Sequence, residues 1–268
     1  KAMQAAAGAR PWVEGLARFG FAAKGVVYAL IGFVALKAAL GMGGKTTDAA
    51  GALRMLLHQP FGKALLGTVA VGLFGYALWR LVQALLDPGG SEPGVKGIVE
   101  RVGYGVSGVT YVLLGLTAVR MLTGGGKGGG STRDWSAQLM SQSLGPWLVG
   151  GVGAVAVAVG LYFLYRSYRA DFRDEFNLGE MSATEERWAT VSGRIGYAAR
   201  GVVFSLIGFF AIQAAMHLNA GEVRDMGGVL NRIAHQPYGP WLLGLVAVGL
   251  MAYAFHMFVA ARYRRVWA

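Results

Sequence analysis

Arg18-Phe19-Gly20-Phe21-Ala22-Ala23-Lys24-Gly25-Val26-Val27-Tyr28 returns as Arg194-Ile195-Gly196-Tyr197-Ala198-Ala199-Arg200-Gly201-Val202-Val203-Phe204. It returns more weakly as Arg101-Val102-Gly103-Tyr104-Gly105-Val106-Ser107-Gly108-Val109-Thr110-Tyr111. Gly32, Gly115 and Gly208 each follow seven residues after Gly25, Gly108 and Gly201. A second block repeats downstream. His58-Gln59-Pro60-Phe61-Gly62 matches His235-Gln236-Pro237-Tyr238-Gly239, and both run into Leu-Leu-Gly at Gly67 and Gly244. The middle counterpart is Gln142-Ser143-Leu144-Gly145, then Gly150. Two blocks in constant order, three times over, make the chain a triplication with repeats at about 12–88, 95–170 and 188–265.

Each repeat reads as an apolar helix, a Gly-rich loop, a short amphipathic helix and a second apolar helix. The long helices are expected at about 19–40, 63–85, 102–122, 147–165, 195–218 and 241–261. Each approaches the ~20 residues that cross ~30 Å of hydrocarbon. Composition agrees: 54% of the 268 residues are hydrophobic and only 15% charged, where a soluble domain carries about a quarter. That excludes an ordinary soluble domain and a disordered chain. The expected fold is an all-α membrane protein. Its six transmembrane helices form three hairpins in a pseudo-threefold arrangement, each with a short interfacial helix in its outer loop. Lys1-Ala2-Met3-Gln4 lacks the apolar core of a cleaved signal peptide, so the first apolar stretch is read as structure.

The loops within hairpins, 41–44, 124–130 and 219–228, are each followed or closed by an aspartate: Asp48, Asp134 and Asp225. An aspartate caps a helix start because its carboxylate accepts the free N–H groups of the first turn. Leu53, Leu56, Leu57 and Val229, Leu230, Ile233 give two of the short helices their apolar side, and Pro60 and Pro237 end them. A hairpin cap is the simpler reading, and a plug or gate the alternative. The links between hairpins are polar: 87–94 is rich in turn residues, and 171–187 is charged, with Phe172, Phe176, Leu178 and Met181 at partly helical spacing.

The chain carries 25 Lys+Arg against 14 Asp+Glu, a formal charge of +11. In a membrane protein this balance reads as contact with anionic headgroups rather than with nucleic acid. The side holding the termini and inter-hairpin links has 16 of the 25 cations, which predicts cytoplasmic termini. Trp147 and Trp241 mark one interface, and Trp12, Trp79, Tyr165, Tyr168 and Trp267 the other. Many of the 43 glycines lie inside helices, and Gly25 and Gly32, Gly67, Gly72 and Gly75, and Gly244 and Gly249 mark faces where helices approach closely in lipid, a smooth pore wall or hinge being the alternative.

Chemistry is sparse. The chain has no cysteine, so it offers no thiolate ligand or nucleophile. All fourteen acids fall in loops or helix ends, which argues against carboxylate-coupled transport and paired-carboxylate hydrolysis. Gly44-Lys45-Thr46 lacks the earlier glycine of a phosphate loop, since Ala39 occupies that position. No Ser/His/Asp elbow is present. No enzyme activity, cofactor or metal is expected. Five basic residues enter the helices: Arg18, Arg101 and Arg194 at equivalent positions, with Lys24 and Arg200 deeper. Snorkelling to headgroups is one reading. The other is a basic vestibule on the pseudo-threefold axis, binding an anion or anionic lipid. His58, Gln59, Gln142, His235 and Gln236 form a candidate outer-loop polar cluster.

The repeated Arg-x-Gly-Tyr-x-Ala-Arg-Gly-Val-Val start and the Gln-Pro-(Phe/Tyr)-Gly block resemble a bacterial membrane family known as domain of unknown function 1206, over roughly 12–265. The resemblance implies a polytopic membrane protein with three tandem two-helix units and supplies no activity. The middle copy departs most, with Ser107 in place of Lys24 and Arg200, and Ser143 in place of the proline. Two functions are expected from the whole: transport or binding of an anionic ligand or lipid headgroup, or a structural or regulatory subunit that packs on a membrane-protein partner.

Overall fold

The computed structural model describes residues 2–43, 46–86, 95–124, 132–142 and 144–265. Ser143, Trp267, the 87–94 link and most of the 124–130 loop lie outside that set. Each repeat contributes two long helices: α1 (Ala2–Ala39) and α3 (Gly62–Leu86), α4 (Val95–Leu122) and α6 (Gly145–Arg169), and α7 (Ala183–Met216) and α9 (Gly239–Tyr263). The short helices are α2 (Ala49–Leu57), α5 (Thr132–Met140) and α8 (Met226–Ala234). Six helices are long and apolar enough to cross a membrane. The chain is an all-α, multi-pass membrane protein.

The first helix of each repeat starts 7 to 17 residues earlier than the apolar pattern indicates. The added turns of α4 and α7 are rich in charged residues, so hydropathy passes over them. At α7 the signal is a capping box: the Ser182 hydroxyl accepts from the Glu185 N–H at 3.3 Å, and the Glu185 carboxylate accepts from the Ser182 N–H at 2.8 Å.

Asp48 and Asp225 cap α2 and α8 as expected, accepting from the Gly51 and Gly228 N–H groups at 2.8 and 2.7 Å. Asp134 differs: it lies inside α5, which already begins at Thr132. Leu53 and Leu230 are fully buried, and the Thr46 hydroxyl donates to the Gly227 carbonyl at 2.9 Å. The short helices of the outer repeats thus join over one end of the bundle. The glycine of the second block has a steric cause. A Cβ at Gly62, Gly145 or Gly239 would stand 2.0, 1.9 or 2.1 Å from the carbonyl oxygen of Leu57, Leu139 or Ala234. No side chain fits that turn between short and long helix.

The helices pack in the order α6–α7–α9–α1–α3–α4. The seams between repeats follow the triplication. A Cβ at Gly25, Gly108 or Gly201 would lie 3.2, 3.3 or 2.9 Å from the carbonyl oxygen of Ala254, Ala77 or Gly160, three repeat-equivalent residues. Contacts within repeats do not all follow it. A Cβ at Gly20 would meet Tyr76 N at 2.4 Å, and one at Gly196 would meet Tyr253 Cα at 2.5 Å. Their equivalent, Gly103, has nothing within 4 Å. Among the described residues α4 and α6 do not pack along one another. The middle hairpin is the open segment of the ring.

Candidate functional site

Lys24 and Arg200 leave their helices at equivalent positions and point into the bundle, where they are 3% and 6% exposed. Lys24 lies midway along the helical stretch Pro11–Ala39 and turns its ammonium inward rather than toward lipid. It donates to the Tyr76 hydroxyl at 2.8 Å. Arg200 Nη1 donates to the Tyr253 hydroxyl at 2.5 Å. Tyr76 and Tyr253 are also repeat-equivalent, and Gly20 and Gly196 bring their backbones close. In the middle repeat both partners are replaced, by Ser107 and Val159. Cation and tyrosine are kept together or lost together.

Aromatic faces complete the site. Lys24 Nζ lies 4.4, 5.1 and 5.5 Å from the ring centres of Tyr76, Tyr111 and Tyr253. The Arg200 guanidinium lies 4.3 Å from Phe163, 4.4 Å from Tyr253 and 5.2 Å from Tyr28. All six long helices therefore reach one centre. A cation at mid-helix costs about 2.5–3.5 kcal/mol on insertion scales. Cation–π contacts return about 2 kcal/mol when desolvated. The rings and hydroxyls thus make the buried charges tolerable without neutralising them. Among the described residues no carboxylate lies within 4 Å of either cation. Arg200 Nε and Ser205 Oγ, both on α7, are buried with no hydrogen-bond partner there.

The other expected site residues do not join this centre. Arg18 pairs with Glu14 at 2.8 Å and donates to the Ala261 and Arg262 carbonyls at the end of α9. Arg101 donates to the Ala84 and Leu85 carbonyls at the end of α3, at 3.0 and 3.2 Å. Arg194 is exposed, and its carbonyl accepts from Ser167 of α6. Each therefore stands where one repeat meets the next. For Arg18 and Arg101 the attraction is the unsatisfied carbonyls of a helix C-terminus. Of the five basic residues, the structure brings together only Lys24 and Arg200, in the interior.

The outer-loop residues act locally. His58 and His235 engage the Arg54 and Asn231 carbonyls at 2.7 and 2.8 Å, and Gln59 and Gln236 donate to those of Met55 and Arg232. They close their own short helices, and Gln142 is exposed. Among the described residues no three His, Asp or Glu side chains gather as a metal site.

One feature escapes the sequence reading. The 171–182 link folds under the bundle as two 3-10 turns. Phe172 and Phe176 are buried there, and their ring centres lie 4.9 and 5.4 Å from that of buried His256. Glu175 accepts from Arg166 at 2.9 Å and Arg264 at 2.8 Å, tying α6 to the end of α9. Burial opposes ionisation of Glu175, but Arg166, then Arg264 and Arg80, outweigh it and hold the carboxyl at about 2. The signal available was a carboxylate set between phenylalanines four residues apart.

A family model described as Domain of Unknown Function (DUF1206) matches the chain three times, at residues 19–87, 102–170 and 195–264. The chain is also similar to Uncharacterized protein YxxB of Bacillus subtilis (strain 168), at 33% identity over 96% of this chain and 93% of that protein. No solved structure matches. Three matches in tandem, together covering most of its length, establish that the chain belongs to the DUF1206 family.

Proposed function

We propose that this protein binds an anionic ligand, a lipid headgroup or a free anion, between Lys24 and Arg200 in the interior of the bundle. The observation that carries the reading is the pair itself: two equivalent cations, buried at mid-helix, with no carboxylate beside them and Arg200 Nε unpaired among the described residues. A phosphate or carboxylate oxygen supplies what that geometry lacks, a charge-assisted acceptor in a low dielectric. Arg80 adds to the field, since its Nε shares the Tyr76 hydroxyl with Lys24 at 2.8 Å. The reading is of a binding protein rather than an enzyme. The Lys/Arg distribution supports both termini inside, and the Bacillus relative supports a bacterial cytoplasmic membrane.

Native mass spectrometry of the protein in mild detergent tests this. The expected result is a stoichiometric anionic adduct that is lost in the Lys24→Gln/Arg200→Gln variant. A bare wild-type chain overturns the reading. A stoichiometric protein partner in place of an adduct favours the subunit alternative.

A further inference from the structure

We infer that the seam between α4 and α6 is a lateral opening through which an anionic membrane lipid reaches Lys24 and Arg200. This rests on the anion-binding reading and names both the ligand's source and its route.

Comparison among the repeats carries the inference. Within the first repeat, Ala23 and Gly72 meet face to face, and Ala199 and Gly249 do so in the third. Ala23 and Ala199 are 4% and 9% exposed. The equivalents in the middle repeat are Val106 and Val155, and both are 57% exposed. Valine in place of glycine removes the flat surface that lets two helices touch in lipid. The tyrosine that anchors the outer pairs is Val159 here, and the cation is Ser107. The alanine–glycine contact and the cation–tyrosine bond that close the other two hairpins are both missing from this one.

The opening leads to the cations. Tyr111 of α4 covers Lys24, and Phe163 of α6 covers Arg200. Each wall of the seam thus ends on a ring that covers one of the two charges. Val106 and Val155 expose apolar side chains on its two walls and the helices span the membrane, so acyl chains are the occupant that fits between them. The uncompensated cations behind them select an anionic headgroup.

The native chain has no cysteine, so single labels can be placed at will. Val106→Cys and Val155→Cys, each carrying a fluorophore, are reconstituted in vesicles with brominated phosphatidylglycerol or brominated phosphatidylcholine. Val248→Cys, on the exposed side of α9, is the reference. The expected preference for the anionic lipid at either seam position exceeds that at Val248 on the order of tenfold, the effect of one charge-assisted hydrogen bond. It falls to the reference level with Lys24→Gln/Arg200→Gln. Equal quenching at all three positions overturns the seam. If mass spectrometry then still finds an adduct that needs Lys24 and Arg200, anion binding stands and only the route fails. If it finds none, both fail.

Discussion

Lys24 Nζ donates to the Tyr76 hydroxyl at 2.8 Å across the interface of α1 and α3, and Arg200 repeats that bond with Tyr253 across α7 and α9. The middle repeat keeps neither member of the pair. A buried cation stripped of its acceptor loses far more than the mean value of a hydrogen bond. Tyr76→Phe and Tyr253→Phe are therefore expected to destabilise the protein by about 1–3 kcal/mol each. Adding Lys24→Met to Tyr76→Phe should cost less than the two singles together. Thermal unfolding of the four proteins in detergent checks the cycle, and strict additivity would contradict the coupling.

The equivalent glycines separate the packed repeats from the open one. Gly20→Ala and Gly196→Ala force a methyl into the Tyr76 and Tyr253 backbones, and overpacking of this kind costs about 1–3 kcal/mol. Gly103→Ala meets no atom within 4 Å and gains helix propensity, so it should leave the midpoint unchanged or raise it slightly. Three midpoints under one detergent decide the matter. Equal losses at all three positions would mean that α4 and α6 close together.

The Glu175 carboxyl titrates at about 2 when folded and near its ordinary value of 4.5 when unfolded. Its folded value is depressed, so its contribution is fully present above about pH 4.5 and is lost as pH falls through about 2. Glu175→Gln should lower the midpoint by a constant amount from pH 5 to 8. The gap should narrow below pH 4.5. Unfolding of both proteins across that range checks the sign, and a gap that widens in acid would contradict it.

The Lys/Arg bias predicts a C-terminus inside the cell. A fluorescent-protein fusion after position 268 should glow and an alkaline-phosphatase fusion there should be inactive. The opposite pair of results reverses the orientation.

The triplication, the six long helices and the aspartate caps at Asp48 and Asp225 were legible in the sequence because each has a local physical signature. Hydropathy gives span, equivalent glycines give contact, and aspartate before an apolar turn gives a cap. The site was legible only in part. Lys24 and Arg200 stood out as basic residues inside apolar helices, but Arg18, Arg101 and Arg194 share the repeat pattern equally well. What separates them is depth: Arg18 and Arg101 reach the carbonyls at the end of a neighbouring helix, and Lys24 does not. Tyr76 and Tyr253 look like ordinary aromatic filling until the fold sets them against the cations. Glu175 looks like one more charge in a polar link, because its partners Arg166 and Arg264 are brought to it by helices far apart in the chain.

The most direct measurement is a crystal structure grown from a lipidic mesophase doped with phosphatidylglycerol. Phosphate density within hydrogen-bond distance of Lys24 Nζ and Arg200 Nε, with acyl density leading out between α4 and α6, is the expected result. A map in which Lys24 and Arg200 contact only their tyrosines and rings, with α4 and α6 packed together, would contradict it.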